Sequence, residues 1–192
     1  MRNAYALGAG QRPCQRKAQM PTVMPRPRTA ALIVAAGIAA RFGGGVPKQY
    51  RRLAGQTVLR RSIQAMRACG DVDAIRIVIR GSHRAAYDEA VSGLDLPPPI
   101  EGGETRQASV LAGLEALALD GPDLVLIHDA ARPLVGIEVI GGVVRALAAA
   151  DGAIAALPIV DTLRHVRDGL AAGTVSREGL WAAQTPQGFR FP

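Results

Sequence analysis

The chain has 192 residues, of which 48% are hydrophobic and only 4% aromatic, and its formal net charge is +7. This length suits one domain with a largely aliphatic core, a composition typical of a parallel sheet covered by helices. No apolar run approaches the roughly 18 residues that a membrane span requires, so we expect no membrane segment.

The positive charge is concentrated in the first part of the sequence. Residues 1–28 hold six of the 23 basic residues and no acidic residue, which leaves 17 basic against 16 acidic residues in 29–192. We therefore expect 1–28 to be a disordered basic extension, 29–192 to be a nearly neutral domain, and nucleic acid not to be a partner. The two cysteines, Cys14 and Cys69, suggest neither a disulfide framework nor a metal site, which favours a cytoplasmic location.

The apolar run at 30–36 predicts a fully buried strand that leads into a glycine-rich loop. Glycines let backbone N–H groups approach phosphate oxygens, and Arg41 and Lys48 supply positive charge. The spacing fits neither a P-loop nor a dinucleotide fingerprint, because Lys48 follows Pro47 and precedes Gln49. The loop thus predicts a polyphosphate site, with a surface loop carrying two solvated cations as the alternative.

A capped helix from Thr57 to about Cys69 comes next, and residues 74–80 predict a second strand. Ser82 is a candidate cap for a helix that ends near Ser92. A short strand is expected after the prolines at 97–99.

A further helix is predicted to begin near Glu104, directly after Gly102 and Gly103. Free N–H groups at such a helix start favour anions or base carbonyls. An ordinary glycine turn into an amphipathic helix explains the same residues equally well.

Residues 123–127 predict a buried strand that delivers the segment HDAARP at 128–133. Open α/β sheets place their chemistry at the carboxyl ends of parallel strands, so Asp129 is a candidate ligand for Mg²⁺. The alternative for Asp129 is a helix cap or a salt bridge to Arg132. His128 fits a packed residue better than a general base.

A helix over about 137–150 and a strand ending near Pro158 complete the alternation of strands and helices. This order predicts an α/β fold with a doubly wound, mostly parallel, Rossmann-like sheet. Polar and apolar residues then alternate around Asp168 and Gly169, which predicts a projecting β-hairpin over about 159–181.

The pattern A-A-G-x(3)-R-x(5)-P-K-Q and the segment HDAARP together resemble the 2-C-methyl-D-erythritol 4-phosphate cytidylyltransferase family of the non-mevalonate isoprenoid pathway. The resemblance covers about 30–192 and implies transfer of CMP from CTP to methylerythritol phosphate with Mg²⁺. It also implies a chain truncated at its carboxyl end, because the family continues for a few more elements and some members add a cyclase domain. Ribitol 5-phosphate as acceptor, or a truncated chain that binds nucleotide without turnover, are the alternatives.

The same resemblance implies roles for individual residues. Arg41 and Lys48 stabilise the transition state at the α-phosphate. Thr162 and Arg177, on a hairpin arm that crosses to a second subunit, bind the sugar phosphate and imply a homodimer. The residues that contact the nucleotide are Ala35, Ala36, Gly37, Gly102, Gly103, Ser109, Asp129 and Ala130.

Overall fold

The computed structural model describes residues 26–37 and 45–192. Residues 1–25 of the predicted extension and Arg41 lie outside the described residues. The strands in the described ranges are β1 (Thr29–Ala35), β2 (Arg52–Leu53), β3 (Gln56–Thr57), β4 (Ala74–Ile79), β5 (Ile100–Glu101), β6 (Leu124–Asp129), β7 (Gly152–Pro158), β8 (Leu163–Arg167), β9 (Leu170–Val175) and β10 (Trp181–Arg190). The helices are α1 (Val58–Ala68), α2 (Arg84–Val91), α3 (Arg106–Leu117) and α4 (Ile137–Ala146).

Six strands form the central sheet, in the order β5-β4-β1-β6-β10-β7. Strands β5, β4, β1 and β6 are parallel to one another, whereas β10 runs antiparallel to both of its neighbours. The predicted mostly parallel α/β sheet is therefore confirmed.

Both faces of the sheet are covered because the side chains of each central strand alternate between them. In β1, Ala31 and Ile33 pack with residues of α1, α2 and α4, whereas Leu32 packs against α3 on the other face. Since β1 is buried on both sides, its sequence is a continuous apolar run with no polar alternation.

Helix α1 forms as its sequence predicts. The Thr57 hydroxyl accepts a hydrogen bond from the Arg60 N–H at 3.2 Å, which satisfies one free donor of the first turn. Leu59, Ile63 and Met66 recur at helical spacing and are fully buried against the sheet.

Two helix boundaries differ from prediction. Ser82 does not cap a helix, because it lies inside a 3-10 turn (Gly81–His83) and α2 begins only at Arg84. Helix α4 ends at Ala146 and not near residue 150. Beyond it, the Leu147 and Ala148 N–H groups bond to carbonyls three residues back, which tightens the chain into 3-10 geometry.

Strand β10 was not predicted from the sequence, and its composition explains the omission. Its ladder with β7 is interrupted between Ala183 and Gln187, where Pro186 has no N–H to donate. Gly188 is needed because a Cβ there would lie 2.7 Å from the Val143 side chain of α4. Because α4 packs closely against this strand, small residues take positions where β-branched residues would usually indicate a strand.

A separate two-stranded sheet is formed by β8 and β9. Asp168 and Gly169 occupy its turn with φ values of 50° and 78°, the left-handed values that a tight two-residue hairpin turn requires. Its role as an arm that reaches a second subunit stays a prediction.

None of the helices in ranges 26–37 and 45–192 has the length and apolar character needed to cross a membrane.

Candidate functional site

The ends of the parallel strands bring several sequence-predicted site residues to one edge of the sheet. Val34 is paired with Asp129 in β6, and Ala35 is paired with Ile79, which in turn pairs with Glu101. Ala36, Gly102 and Ala130 each come directly after one of these strand ends. The sheet register therefore places the β1 loop, the start of α3 and the HDAARP segment side by side.

Gly102 forms the tightest part of this edge. A Cβ on Gly102 would lie 2.7 Å from the Ser109 Oγ and 2.8 Å from the Ala36 Cβ, so only glycine fits without displacing them. The Gly102 N–H donates to the Ile79 carbonyl at 2.7 Å, which fixes the backbone at the exit of β5. Ala36, Gly102 and Ser109 are thus brought together, and their role in binding a nucleotide stays a prediction.

Ser109 is held in place by the start of α3. Its hydroxyl lies 2.9 Å from the Thr105 carbonyl oxygen and 3.2 Å from the Gly103 carbonyl oxygen, so its single proton is shared between them. The Thr105 hydroxyl caps the helix by accepting from the Ala108 N–H at 3.0 Å. These hydrogen bonds within the chain order the Gly102–Gly103 turn.

Gln49 is a site residue that the sequence reasoning did not single out. Its side-chain amide donates to the Ala35 carbonyl at 2.6 Å and to the Gly37 carbonyl at 3.1 Å, and the residue is buried. Gln49 follows Lys48 directly, in the short 3-10 helix Lys48–Tyr50. It therefore ties the backbone beside Lys48 to the end of β1, and its place in the P-K-Q motif was the available signal.

Replacing Gln49 with leucine is expected to lower the free energy of unfolding by about 1–3 kcal/mol, because two carbonyls lose their buried donor. It should also weaken binding of CTP, the nucleotide that the sequence resemblance implies, since the end of β1 is no longer tied to the residue next to Lys48. Urea unfolding and calorimetry measure the two effects. Gln64→Leu, on the exposed face of α1, is the matched control and should change neither quantity.

Asp129 is held between two arginines. Its Oδ1 lies 3.0 Å from the Arg106 Nε and its Oδ2 lies 3.4 Å from the Arg132 Nε. The salt bridge to Arg132 was one of the alternatives drawn from the sequence, whereas Arg106 was not foreseen. Arg106 is the first residue of α3, where the helix dipole disfavours a cation, and the Asp129 carboxylate offsets that cost.

Ala130 and His128 fix the backbone on either side of Asp129. The Ala130 N–H donates to the Val34 carbonyl at 3.0 Å, and its own carbonyl accepts from the Ser62 hydroxyl at 2.8 Å. His128 is completely buried, and burial lowers its pKa to about 4. The imidazole is therefore neutral at pH 7, which excludes a charged histidine beside Asp129.

The buried His128 predicts a loss of stability in acid. Its pKa is about 4 in the folded chain against an ordinary 6.5, so the unfolded chain takes up the proton first as the pH falls. The contribution of neutral His128 to the free energy of unfolding is fully present above pH 6.5 and decreases as the pH falls to about 4. The total loss is about 3 kcal/mol. Urea unfolding at several pH values, compared between the parent chain and His128→Asn, isolates this contribution. An unchanged pH dependence in the variant would contradict it.

The residues predicted to bind the sugar phosphate lie on the hairpin. Thr162 and Arg177 are both exposed, and Arg177 donates to the Val160 carbonyl across the hairpin base. Within the described ranges, no hydrogen bond or ion pair joins either residue to Ser109 or Asp129. They are therefore not part of the cluster at the sheet edge of the same chain.

The fold and this edge define an α/β domain with a candidate nucleotide site at the carboxyl ends of its parallel strands. The family model for 2-C-methyl-D-erythritol 4-phosphate cytidylyltransferase, IspD, matches residues 29–192. This chain belongs to that family.

Individual relatives agree with the family match. The chain is 49% identical over 164 residues to a bifunctional enzyme IspD/IspF of Paramagnetospirillum magneticum, covering 85% of this chain and 43% of that protein. A crystal structure of a 4-diphosphocytidyl-2C-methyl-D-erythritol synthase is 32% identical, with a TM-score of 0.74 over 85% of this chain and 75% of that one. The corresponding synthase of Anaerococcus prevotii is 27% identical, with a TM-score of 0.71 over 85% and 71% of the two chains. The chain spans less than half the length of the curated relatives it matches.

Proposed function

We propose that this chain is the cytidylyltransferase part of an enzyme of isoprenoid precursor biosynthesis. It transfers CMP from CTP to 2-C-methyl-D-erythritol 4-phosphate and releases pyrophosphate and 4-diphosphocytidyl-2-C-methyl-D-erythritol. The observation that carries the proposal is the meeting of Ala36, Gly102 and Ser109 beside Asp129, at the sheet edge of a domain that belongs to this family. The curated relatives are bifunctional, which supports a cyclase domain as part of the parent enzyme.

The chemistry needs cations and no general base. The attacking phosphate of the sugar is already an anion, so the protein must bring two anions together and stabilise the charge on the α-phosphate. Lys48 supplies one positive charge, next to the buried Gln49 that is bonded to the end of β1. Arg41 is proposed as the second cation and lies outside the described residues.

A divalent cation, Mg²⁺, is proposed as the cofactor, with Asp129 as its protein ligand. The Asp129 side chain is 32% exposed at the sheet edge, and no cluster of three metal-ligating side chains exists in ranges 26–37 and 45–192. This donor set fits Mg²⁺, which commonly takes one or two carboxylates and completes its shell with water and substrate phosphates. Bound there, the ion would neutralise phosphate charge. Arg106 and Arg132, both partly exposed, hold the carboxylate in position.

The hairpin is proposed to complete the site of a second subunit in a homodimer. Thr162 and Arg177 are exposed on it, and among the described residues no hydrogen bond or ion pair joins them to Ser109 or Asp129, which supports a role in another copy of the chain. Sedimentation at micromolar concentration tests this directly. A monomer under those conditions would count against the shared site.

The buried free Cys69 in the described part of the chain is consistent with the proposed cytoplasmic location.

Pyrophosphate release with CTP and Mg²⁺ tests the activity. The 192-residue chain and a longer chain that extends to the end of the parent gene are each assayed with methylerythritol phosphate and with ribitol 5-phosphate. Release with methylerythritol phosphate alone is the expected result for the longer chain. Release with ribitol 5-phosphate alone would identify ribitol 5-phosphate as the substrate. No release by the longer chain with either acceptor would overturn the proposal. CTP binding by the 192-residue chain without release would make it a nucleotide-binding piece.

A further inference from the structure

The two ring nitrogens of His128 are both used inside the protein. Nε2 lies 3.1 Å from the Arg132 carbonyl oxygen, and Nδ1 lies 3.0 Å from the Thr185 Oγ1. A carbonyl oxygen only accepts, so Nε2 carries the proton of the neutral ring. Nδ1 is then an acceptor, and the Thr185 hydroxyl must donate to it.

The same hydroxyl is an acceptor on its other side. The backbone N–H of Asp129 lies 3.2 Å from the Thr185 Oγ1 and can only donate. The direction of every bond is thereby fixed, from the Asp129 N–H to Thr185, from Thr185 to His128, and from His128 to the Arg132 carbonyl. The turn itself is closed by the Arg132 N–H, which donates to the Asp129 carbonyl at 3.0 Å.

This chain of bonds joins the turn at Asp129 to the strand that leads out of the hairpin. Thr185 lies in β10, which starts at Trp181 and is the next strand along the chain after β9 of the hairpin. The neighbouring Gln184 side chain accepts from the Arg132 guanidinium, so two successive residues of β10 hold the turn. His128 and Thr185 are both buried, so water does not compete for these bonds.

We propose that His128 is a positioning residue for the nucleotide and metal end of the site. Through its Nε2–H tautomer and the Thr185 hydroxyl it holds the backbone of Asp129 and Arg132 in register with β10. It does not touch substrate, because both ring nitrogens are bonded within the protein. This inference rests on the proposed function, in which Asp129 serves the nucleotide and its metal ion.

The hydrogen-bond directions suggest variants that remove either the bond between Thr185 and His128 or the bond between His128 and the Arg132 carbonyl. Thr185→Val keeps the shape and removes the hydroxyl, whereas Thr185→Ser restores it. His128→Asn retains an acceptor near the position of Nδ1, and His128→Gln retains a donor near the position of Nε2. We expect Thr185→Val and His128→Gln to weaken binding of CTP with Mg²⁺ by roughly 10- to 100-fold, the usual effect of losing a partner behind a ligand. Thr185→Ser and His128→Asn should be much closer to the parent chain.

The test combines calorimetry of CTP binding with Mg²⁺ and long-range ¹H–¹⁵N spectra of the full chain labelled at its three histidines. The expected spectrum shows His128 as the Nε2–H tautomer, with the Nδ1 signal displaced in Thr185→Val. An Nδ1–H tautomer would overturn the inference while CTP binding still supported the proposed function. Thr185→Val that melts earlier yet binds CTP as tightly as the parent chain would show a purely structural role. Failure of the parent chain and of the longer chain to bind CTP would instead contradict the proposed function.

Discussion

Lys48→Ala is expected to lower kcat for pyrophosphate release by about 10²- to 10³-fold, the usual effect of removing one preorganised group that stabilises transition-state charge. The reason lies in its placement. Lys48 follows Pro47, whose φ of −57° is fixed by its ring, and precedes Gln49, which is bonded to two carbonyls at the end of β1. The backbone of Lys48 is therefore fixed between Pro47 and the end of β1, which lowers the chain entropy that this residue loses when it binds a phosphate.

The fold should survive the change, so urea unfolding of Lys48→Ala should resemble that of the parent chain. Arg84→Ala is the matched control, because it removes one positive charge from α2, where the exposed pair with Asp88 contributes little. A loss of less than about tenfold in kcat would remove Lys48 from the catalytic role.

Asp129→Asn is expected to reduce kcat/KM by about 10²-fold or more, because it removes the ligand proposed for Mg²⁺. A metal ion that stabilises phosphate charge contributes several kcal/mol, and about 1.36 kcal/mol corresponds to a factor of ten. Asparagine keeps the size of the side chain but removes the negative charge that faces Arg106 and Arg132. The apparent affinity for Mg²⁺ should fall with the rate. Pyrophosphate release measured over a range of Mg²⁺ concentrations tests both.

Asp120→Asn controls for loss of an arginine-paired carboxylate. Asp120 bonds to Arg76 at 2.7 Å and is 32% exposed, the same exposure as Asp129, but it precedes β6 and does not lie at its carboxyl end. We expect Asp120→Asn to lose some stability and to keep the rate and its Mg²⁺ dependence. Equal losses of activity in both variants would show that Asp129 acts only through its ion pairs.

The elements predicted from the sequence are those whose pattern is local. The runs at 30–35 in β1 and 124–127 in β6 are apolar because both faces of these strands are buried, and Thr57 marks the start of α1 with its own side chain. Strand β10 has no comparable signal. Gly188 is required because α4 packs closely against it, and Pro186 is tolerated because the ladder with β7 is interrupted there. Both partners, α4 and β7, lie far from β10 in the sequence.

The same division holds for the candidate site. Motif and position pointed to Lys48 and Asp129, because charge after a buried strand is visible in the sequence. Arg106 was missed because it meets Asp129 across 23 positions, through the packing of α3 beside β6. Thr185 meets His128 across 57 positions, within a strand that the sequence did not reveal. The order of the strands determines which polar residues meet at the sheet edge. Part of that order is the place of β10 between β6 and β7.

The place of β10 also affects how the chain can fold as it is synthesised. Within the described residues, β7 takes its ladder hydrogen bonds from β10, which separates it from β6. Residues 152–158 therefore leave the ribosome before the strand that attaches them to the sheet. Between the two, the hairpin can form from local contacts alone, while the edge of β6 stays unpaired. Emergence of residues 181–190 then allows β10 to pair with β6 and β7 and Thr185 to reach His128, so the turn at Asp129 gains this support only after the hairpin has been synthesised.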